Sequence, residues 1–196
     1  LICVYLAVTF TWVYPADFWW HLRYGELTLA SGPPATDPFT FTRGGQPFVY
    51  GYWLSDVLLS AVFRAGGLPG IVLLNALLFT TGYGFLMRAA WHVAAGRTRL
   101  AAAVTLLAFA LSVENWAVRP QSFSVLCAGF AVWLVVRYLS GMRAARGLLL
   151  LPVVLVVWAN SHGAFMVGLI LLVAVAGGAL TQVWWRPGAA PSPRPV

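Results

Sequence analysis

Charge is scarce in this sequence. Charged side chains form only 9% of its 196 residues, and the twelve basic side chains are all arginine. A soluble domain carries about 25% charged and 45–50% apolar residues, whereas 61% of this chain is hydrophobic. Too few charged groups remain to cover a water-facing globule, which excludes a cytosolic enzyme, a disordered tail and a nucleic-acid-binding domain. The composition predicts an all-α, polytopic helical membrane protein.

Cysteine and the common catalytic signatures are scarce as well. Cys3 and Cys127 are the only cysteines, and they lie far apart without CxxC spacing, so neither a disulfide framework nor a zinc site is indicated. The chain contains no GxSxG, HExxH, Walker or dinucleotide-binding motif and no internal repeat. No second soluble domain is indicated, so the sequence predicts one membrane module.

Intervals without charge mark the predicted spans. Six spans are predicted in five such intervals: Leu1–Ala16, Ala65–Met87, Leu100–Val113, Pro120–Val136, and two within Gly147–Trp185. The last interval has 39 residues and as one helix would be roughly 58 Å long, about twice the ~30 Å hydrocarbon core. We therefore predict a break at its polar cluster, Asn160 to Gly163.

Residues 1–186 form the predicted transmembrane module, with a long outer loop at 15–67. The Pro-rich residues 187–196 are expected to be a linker or a truncation point. The chain begins at Leu1 without a Met or a basic leader, so we expect a piece of a longer protein.

Arginine placement predicts the orientation. With the N-terminus on the cytoplasmic side, the inner loops hold eight arginines and the outer side holds four, which obeys the positive-inside rule. The five acidic residues then all lie outside: Asp17, Glu26, Asp37, Asp56 and Glu114. Because acids contribute little to orientation, their segregation favours a function clustered on the outer face. The alternative is that only the long outer loop has room for acids.

The long outer loop has its own predicted organisation. A helix over Asp17–Ala30 places Asp17 and His21 on one face, with Leu22 among the side chains available to lipid. Residues 37–42 and 47–50, joined by a Gly-Gly turn, predict a short hairpin. A second amphipathic helix follows over Trp53–Arg64. Its apolar face comprises Leu54, Val57, Leu58 and Ala61, and its polar face comprises Asp56, Ser60 and Arg64.

Five segments of the chain carry distinctive sequence motifs. They are Asp17 with Trp-Trp-His-Leu-Arg-Tyr-Gly-Glu at 19–26, Gly-Pro-Pro-Ala-Thr-Asp-Pro-Phe at 32–39, Gly-Tyr-Trp-Leu-Ser-Asp at 51–56, Arg-Pro-Gln-Ser-Phe-Ser at 119–124 and Trp-Ala-Asn-Ser-His-Gly at 158–163. Together they resemble the membrane glycosyltransferases of the C-type superfamily, which include protein mannosyltransferases, aminoarabinose transferases and oligosaccharyltransferase catalytic subunits. Members usually have more than six spans, and their second-loop acid is often Asp where this chain has Glu114.

The resemblance implies a function and a location. Such enzymes take a polyprenyl-phosphate-linked sugar as donor, and their first outer loop forms two interfacial helices. The resemblance implies that Asp17 is the base or a metal ligand and that Glu114 assists it. Likeness to bacterial members implies a multi-pass protein of the bacterial plasma membrane, with the catalytic loop outside.

The residue chemistry agrees with a transferase site. Transfer from a phosphate ester needs a base or metal for the acceptor and positive groups for the departing phosphate. Asp17 suits the first role, and with Glu114 it offers oxygen ligands to Mg²⁺ or Mn²⁺. Arg119 suits bidentate phosphate binding, and further donor contacts are predicted from His21, Asn160 and His162.

Other interpretations of the same residues remain open. Asp17 also suits a helix cap, Glu114 with Arg119 a span-end ion pair, and His162 a bond to a carbonyl at the helix break. We predict a membrane glycosyltransferase acting at the outer face on a glycan, lipid or protein acceptor. The alternatives are a transporter or flippase-like protein, with residues 160–163 as a discontinuous-helix site, and a non-catalytic membrane scaffold.

Overall fold

A computed structural model describes residues 1–10, 17–141 and 145–185. The chain is 75% helical, and its described part contains no strand. In chain order the helices are α1 (Ile2–Thr9), α2 (Asp17–Ser31), α3 (Trp53–Val93), α4 (Thr98–Leu111), α5 (Gln121–Leu139), α6 (Ala145–Leu148), α7 (Leu151–Ala159) and α8 (Phe165–Trp185), with a 3₁₀ turn at Val113–Asn115. The all-α prediction is confirmed. The end of the first predicted span and the tail at 187–196 lie outside the described residues.

Among the residues that the structure describes, two helices are long and apolar enough to cross a membrane, α3 and α5. They correspond to the predicted spans Ala65–Met87 and Pro120–Val136. Three shorter apolar stretches cover Thr98–Leu111, Arg146–Ala159 and Phe165–Gly178. The 14 residues of α4 rise only about 21 Å, which is less than the ~30 Å core. Six complete crossings are therefore not confirmed.

Helix α3 contains two helical segments that meet at Gly67. This glycine adopts φ +59° and ψ −153°, a conformation open to glycine but strained for other residues. Pro69 follows in the first turn of the second segment, where its missing N–H costs nothing. The predicted helix Trp53–Arg64 and the predicted span beginning at Ala65 are thus both helical, and they join without a loop.

The predicted break between α7 and α8 is confirmed. Helix α7 ends at Ala159, and α8 begins at Phe165. The break docks on the start of α3, because the carbonyl of Asn160 accepts the Leu54 N–H at 3.0 Å and the carbonyl of Ser161 accepts the Ser55 hydroxyl at 2.8 Å. The first bond satisfies a backbone N–H at the beginning of α3 that has no partner within the helix.

Small residues bring α3 and α5 into contact. A Cβ added at Gly129 would lie 2.3 Å from the Gly82 carbonyl oxygen, so only glycine fits at this crossing. Close approach at small residues is the usual packing of membrane helices. On the outside of the bundle Leu107, Ile170 and Val173 are each more than 60% exposed. Such apolar outer faces suit lipid.

The second loop helix buries part of its polar face. Asp56 and Ser60 have 0% and 1% exposure, whereas Leu58 is 42% exposed. Helix α2 packs over Asp56 and Ser60, whereas Arg64 of the same face is exposed. Leu22 of α2, expected on lipid, is instead buried in a core cluster with Phe18.

The predicted hairpin is reduced to one bridge between Thr36 and Pro47. The Asp37 carboxylate accepts the N–H groups of Phe39 and Thr40 and, at 2.5 Å, the Thr40 hydroxyl. These bonds hold the pKa of Asp37 below its usual value, and the bond from the Thr40 hydroxyl has the largest effect. The Asp37 carboxylate takes up N–H groups that strand pairing would otherwise use, and the prolines at 38 and 47 have no N–H to donate to a ladder. The two segments therefore do not form a longer hairpin.

Candidate functional site

The first element of the site is an ion pair between α2 and the segment before α5. The Nε of Arg119 lies 3.2 Å from Oδ1 of Asp17, the first residue of α2. Both atoms are buried, and within the described residues neither has a hydrogen-bond partner, so the contact is an ion pair defined by distance. The two side chains as wholes are 38% and 44% exposed. The pair is therefore accessible to a ligand.

The connection between α4 and α5 sets the position of Arg119. The Asn75 side chain of α3 donates to the Trp116 carbonyl at 2.9 Å, and the Trp116 ring stacks on Phe109 at 4.2 Å. Val118 is buried in the core beside this segment. The carbonyl of Arg119 then accepts the Ser122 N–H in the first turn of α5. The guanidinium therefore projects from an anchored segment.

The second element is a buried carboxylate beneath α2. Asp56 is fully buried, and its Oδ1 lies 2.9 Å from Nδ1 of His21. Its Oδ2 accepts a very short hydrogen bond from the Tyr50 hydroxyl. Burial, and next the bond to Asp56, raise the pKa of Tyr50 far above its usual value, so the phenol stays protonated. Asp56 thus has one partner at each oxygen.

A glycine allows α2 to approach Asp56 this closely. Gly25 lies one turn after His21, and a Cβ built there would be 2.1 Å from the Asp56 carbonyl oxygen and 2.7 Å from the Ser60 side chain. Any other residue at 25 would push the helices apart. The contact between His21 and Asp56 therefore depends on this glycine.

The third element is His162, in the break between α7 and α8. Its Nδ1 lies 2.9 Å from the Ser124 hydroxyl and 3.3 Å from the Ala164 N–H. The Trp158 indole N–H donates to the same Ser124 oxygen at 2.7 Å, which leaves the hydroxyl proton for His162. Because the Ala164 N–H can only donate, Nδ1 is an acceptor and the neutral ring carries its proton on Nε2. Burial, and next the charge of His21, lower the pKa of His162.

Tyr52 connects the second and third elements. Its ring stacks on His162 at 5.8 Å and meets His21 edge to face at 6.1 Å. His21 also shares one face of α2 with Asp17, one turn earlier. The structure therefore brings four of the predicted site residues into one continuous region: Asp17, His21, Arg119 and His162.

Two other predicted site residues have different surroundings. The Asn160 side chain accepts from the Trp53 indole at 2.6 Å and donates to the Val156 carbonyl at 2.8 Å, so it ties the helix break to α3. Glu114 is exposed in the 3₁₀ turn. A donor contact for Asn160 and a shared site for Glu114 with Asp17 stay predictions.

The metal hypothesis also stays a prediction. Among the described residues, no group of three or more His, Cys, Asp or Glu side chains is placed to hold an ion. The buried oxygen of Asp17 faces Arg119, whose positive charge opposes a cation beside it. Asp17 with Glu114 would fit Mg²⁺ only if substrate phosphates supplied further oxygens, as Mg²⁺ sites commonly use.

Sequence reasoning assigned no site role to Tyr50, Tyr52, Asp56 or Ser124. All four lie within or directly before segments that carry the family resemblance, at 51–56 and 119–124. Their partners come from other helices, which spacing along one helix does not reveal. Comparison with protein-family models, with curated proteins and with solved structures finds no match for this chain.

Proposed function

We propose that this chain is the catalytic membrane module of a glycosyltransferase that moves a sugar from a polyprenyl phosphate to an acceptor hydroxyl. The observation that carries the proposal is the accessible pair of Asp17 and Arg119 beside the buried pair of His21 and Asp56. Ionisable side chains are costly in an otherwise apolar bundle and mark functional sites by default. The family resemblance gives this site its reaction class.

Each side chain has a role in the proposed reaction. Arg119 binds the donor phosphate through the guanidinium nitrogens that do not face Asp17. His162 has its remaining proton on Nε2 and donates it in a hydrogen bond to a phosphate oxygen. Asp17 holds Arg119 in place and is the first candidate for the acceptor proton. A divalent cation bound by Asp17 and Glu114 would neutralise the departing phosphate in addition.

The proposed setting is a bacterial plasma membrane, with the site at its outer face. The two helices able to span a membrane support membrane association. The full topology of six embedded helices with a cytoplasmic N-terminus rests on the arginine distribution. Cysteine-accessibility mapping tests it, and labelling from outside at position 143 would reverse the orientation.

The experiment uses the protein in proteoliposomes with a panel of radiolabelled undecaprenyl-phosphate sugars and a bacterial envelope extract as acceptor. Release of undecaprenyl phosphate together with transfer of label is the expected result. Asp17→Asn is expected to lower the rate by at least about 10²-fold. Glu26→Gln is the matched control, because Glu26 is an exposed acid of the same helix that pairs with Arg23 at 2.8 Å. No transfer by wild type from any donor would refute the proposal.

The same samples separate the alternatives. A transporter or flippase would move the glycolipid between leaflets without cleaving it, and a scaffold would leave it unchanged. The structure gives the transporter little support, because the carbonyls of Asn160 and Ser161 at the helix break already accept bonds from α3. In discontinuous-helix transporters such groups bind the substrate or its coupling ion.

A further inference from the structure

We infer that His21, oriented by Asp56, accepts the proton of the incoming acceptor hydroxyl, so that His21 is a catalytic base and Asp56 its positioning residue. The reaction step rests on the proposed function. The orientation of His21 does not, and it has its own test below. This role differs from phosphate binding, the role predicted for His21 from sequence.

The argument begins with the two buried atoms that face each other. Nδ1 of His21 and Oδ1 of Asp56 are 2.9 Å apart, an ion-pair contact, and within the described part of the chain neither atom has a hydrogen-bond partner. A proton on Nδ1 is the nearest donor that could supply Oδ1 with one. Without it, the ring lone pair would face the carboxylate lone pairs, and both groups would be buried and unpaired, which is unfavourable.

The second oxygen of Asp56 also has a donor. The Tyr50 hydroxyl donates to Oδ2, so a carboxylate at position 56 accepts from both sides. A fully buried carboxylate is stable only when it is paired and hydrogen-bonded, and here His21 and Tyr50 supply the two partners. A neutral His21 ring therefore holds its proton on Nδ1, which leaves the lone pair of the ring on Nε2.

This tautomer decides what His21 can do. A neutral ring with a free Nε2 accepts a proton and does not donate to a phosphate oxygen through that atom. A carboxylate behind a histidine also stabilises the imidazolium that forms when the ring takes the proton. His162 has the opposite tautomer, with Nδ1 accepting and Nε2 protonated. The two rings flank Tyr52, one suited to accept a proton and the other to donate a hydrogen bond.

The step balances as follows. The acceptor O–H bond breaks, and its proton passes to Nε2 of His21. The acceptor oxygen forms a bond to the sugar C1 as the bond from C1 to the phosphate oxygen breaks, and the bonding pair stays on the polyprenyl phosphate. His21 then releases the proton to solvent. In this step His21 takes the place of Asp17 as the proton acceptor, and Asp17, whose buried oxygen faces Arg119, holds the phosphate-binding arginine.

Several titratable or charged groups surround His21 and shape any pH profile. They are Asp17 on its own helix, Arg119 beside Asp17, and Tyr50, Tyr52, Asp56 and His162.

The first test measures the tautomers by ¹⁵N NMR of the histidine-labelled protein in lipid nanodiscs. The chain has three histidines, so His92→Gln and His162→Gln variants assign the signals. The expected result is Nδ1–H for His21 and Nε2–H for His162. In Asp56→Asn the Tyr50 hydroxyl keeps the amide oxygen and the amide N–H faces His21, so the His21 proton is expected to move to Nε2. A His21 proton on Nε2 in wild type would overturn the inference.

The second test measures turnover with the undecaprenyl-phosphate sugars described above. His21→Ala is expected to lower the transfer rate by 10²-fold or more, and added imidazole is expected to restore part of that rate. His92→Gln is the control and is expected to match wild type. Unchanged transfer by His21→Ala would overturn the role of base. Absence of transfer in wild type would refute the proposed function, while an Nδ1–H signal in that sample would still support the orientation of His21 by Asp56.

Discussion

Replacing Gly25 with alanine tests the packing that supports the site. The added Cβ would lie 2.1 Å from the Asp56 carbonyl oxygen, whereas ordinary contact begins at 3.4 Å, so α2 must move by about 1.3 Å. That movement would lengthen the 2.9 Å contact between His21 and Asp56 beyond hydrogen-bond length. Overpacking of this kind costs about 1–3 kcal/mol, against a gain of up to about 1 kcal/mol from the helix propensity of alanine.

The assay is denaturation in mixed micelles, read by tryptophan fluorescence, together with the transfer assay. Gly25→Ala is expected to unfold at lower denaturant and to lose transfer. Gly177→Ala is the matched control, because it lies inside α8 with nothing within 4 Å of the new Cβ, and it is expected to be neutral or stabilising. A Gly25→Ala protein that is as stable as wild type and fully active would refute the packing argument.

Three further predictions follow from the structure. Gly129→Ala is expected to destabilise by about 1–3 kcal/mol, since its Cβ would lie 2.3 Å from a carbonyl oxygen of α3; an unchanged denaturation midpoint would contradict this. Asp17→Asn is expected to change the free energy of unfolding by less than about 1 kcal/mol, because its pair with Arg119 is partly exposed; a larger loss would make the pair structural. The lowered pKa of His162 means that the unfolded chain binds this proton more readily, so stability is expected to fall as pH drops below the ordinary 6.5. His162→Gln should lose that part of the dependence of melting temperature on pH, and an identical slope would contradict the assignment.

The features predicted from sequence are those that depend on local composition. The helix break needed only a charge-free interval too long for one crossing and a single polar cluster inside it. Helix α2 was predicted to within one residue of its end, because Gly32 and two prolines stop it. The spans were predicted less well, since a charge-free interval marks apolar sequence and does not fix the length of the helix within it, as the 14 residues of α4 show.

The burial of Asp56 has a different physical origin. The amphipathic pattern of residues 53–64 identifies two faces, and the usual expectation is that the apolar one is buried. Here the loop helix α2 covers the polar face, while Leu58 points outward. Which face is buried depends on a second helix, and a single-helix pattern contains no information about that helix.

The sequence did contain a signal for this packing, and it lies in the small residues. Ser55, Asp56, Leu59 and Ser60 share one face of α3, and all four are buried. An acid flanked by serines on a helix face, together with one glycine on a neighbouring helix, is the composition that close helix approach requires in apolar surroundings. A polar helix face built of small residues therefore indicates a contact with another helix, whereas one built of long charged side chains indicates water. In this chain that distinction separates Asp56, which contacts His21, from Glu26 on α2, whose side chain is 42% exposed and pairs with Arg23.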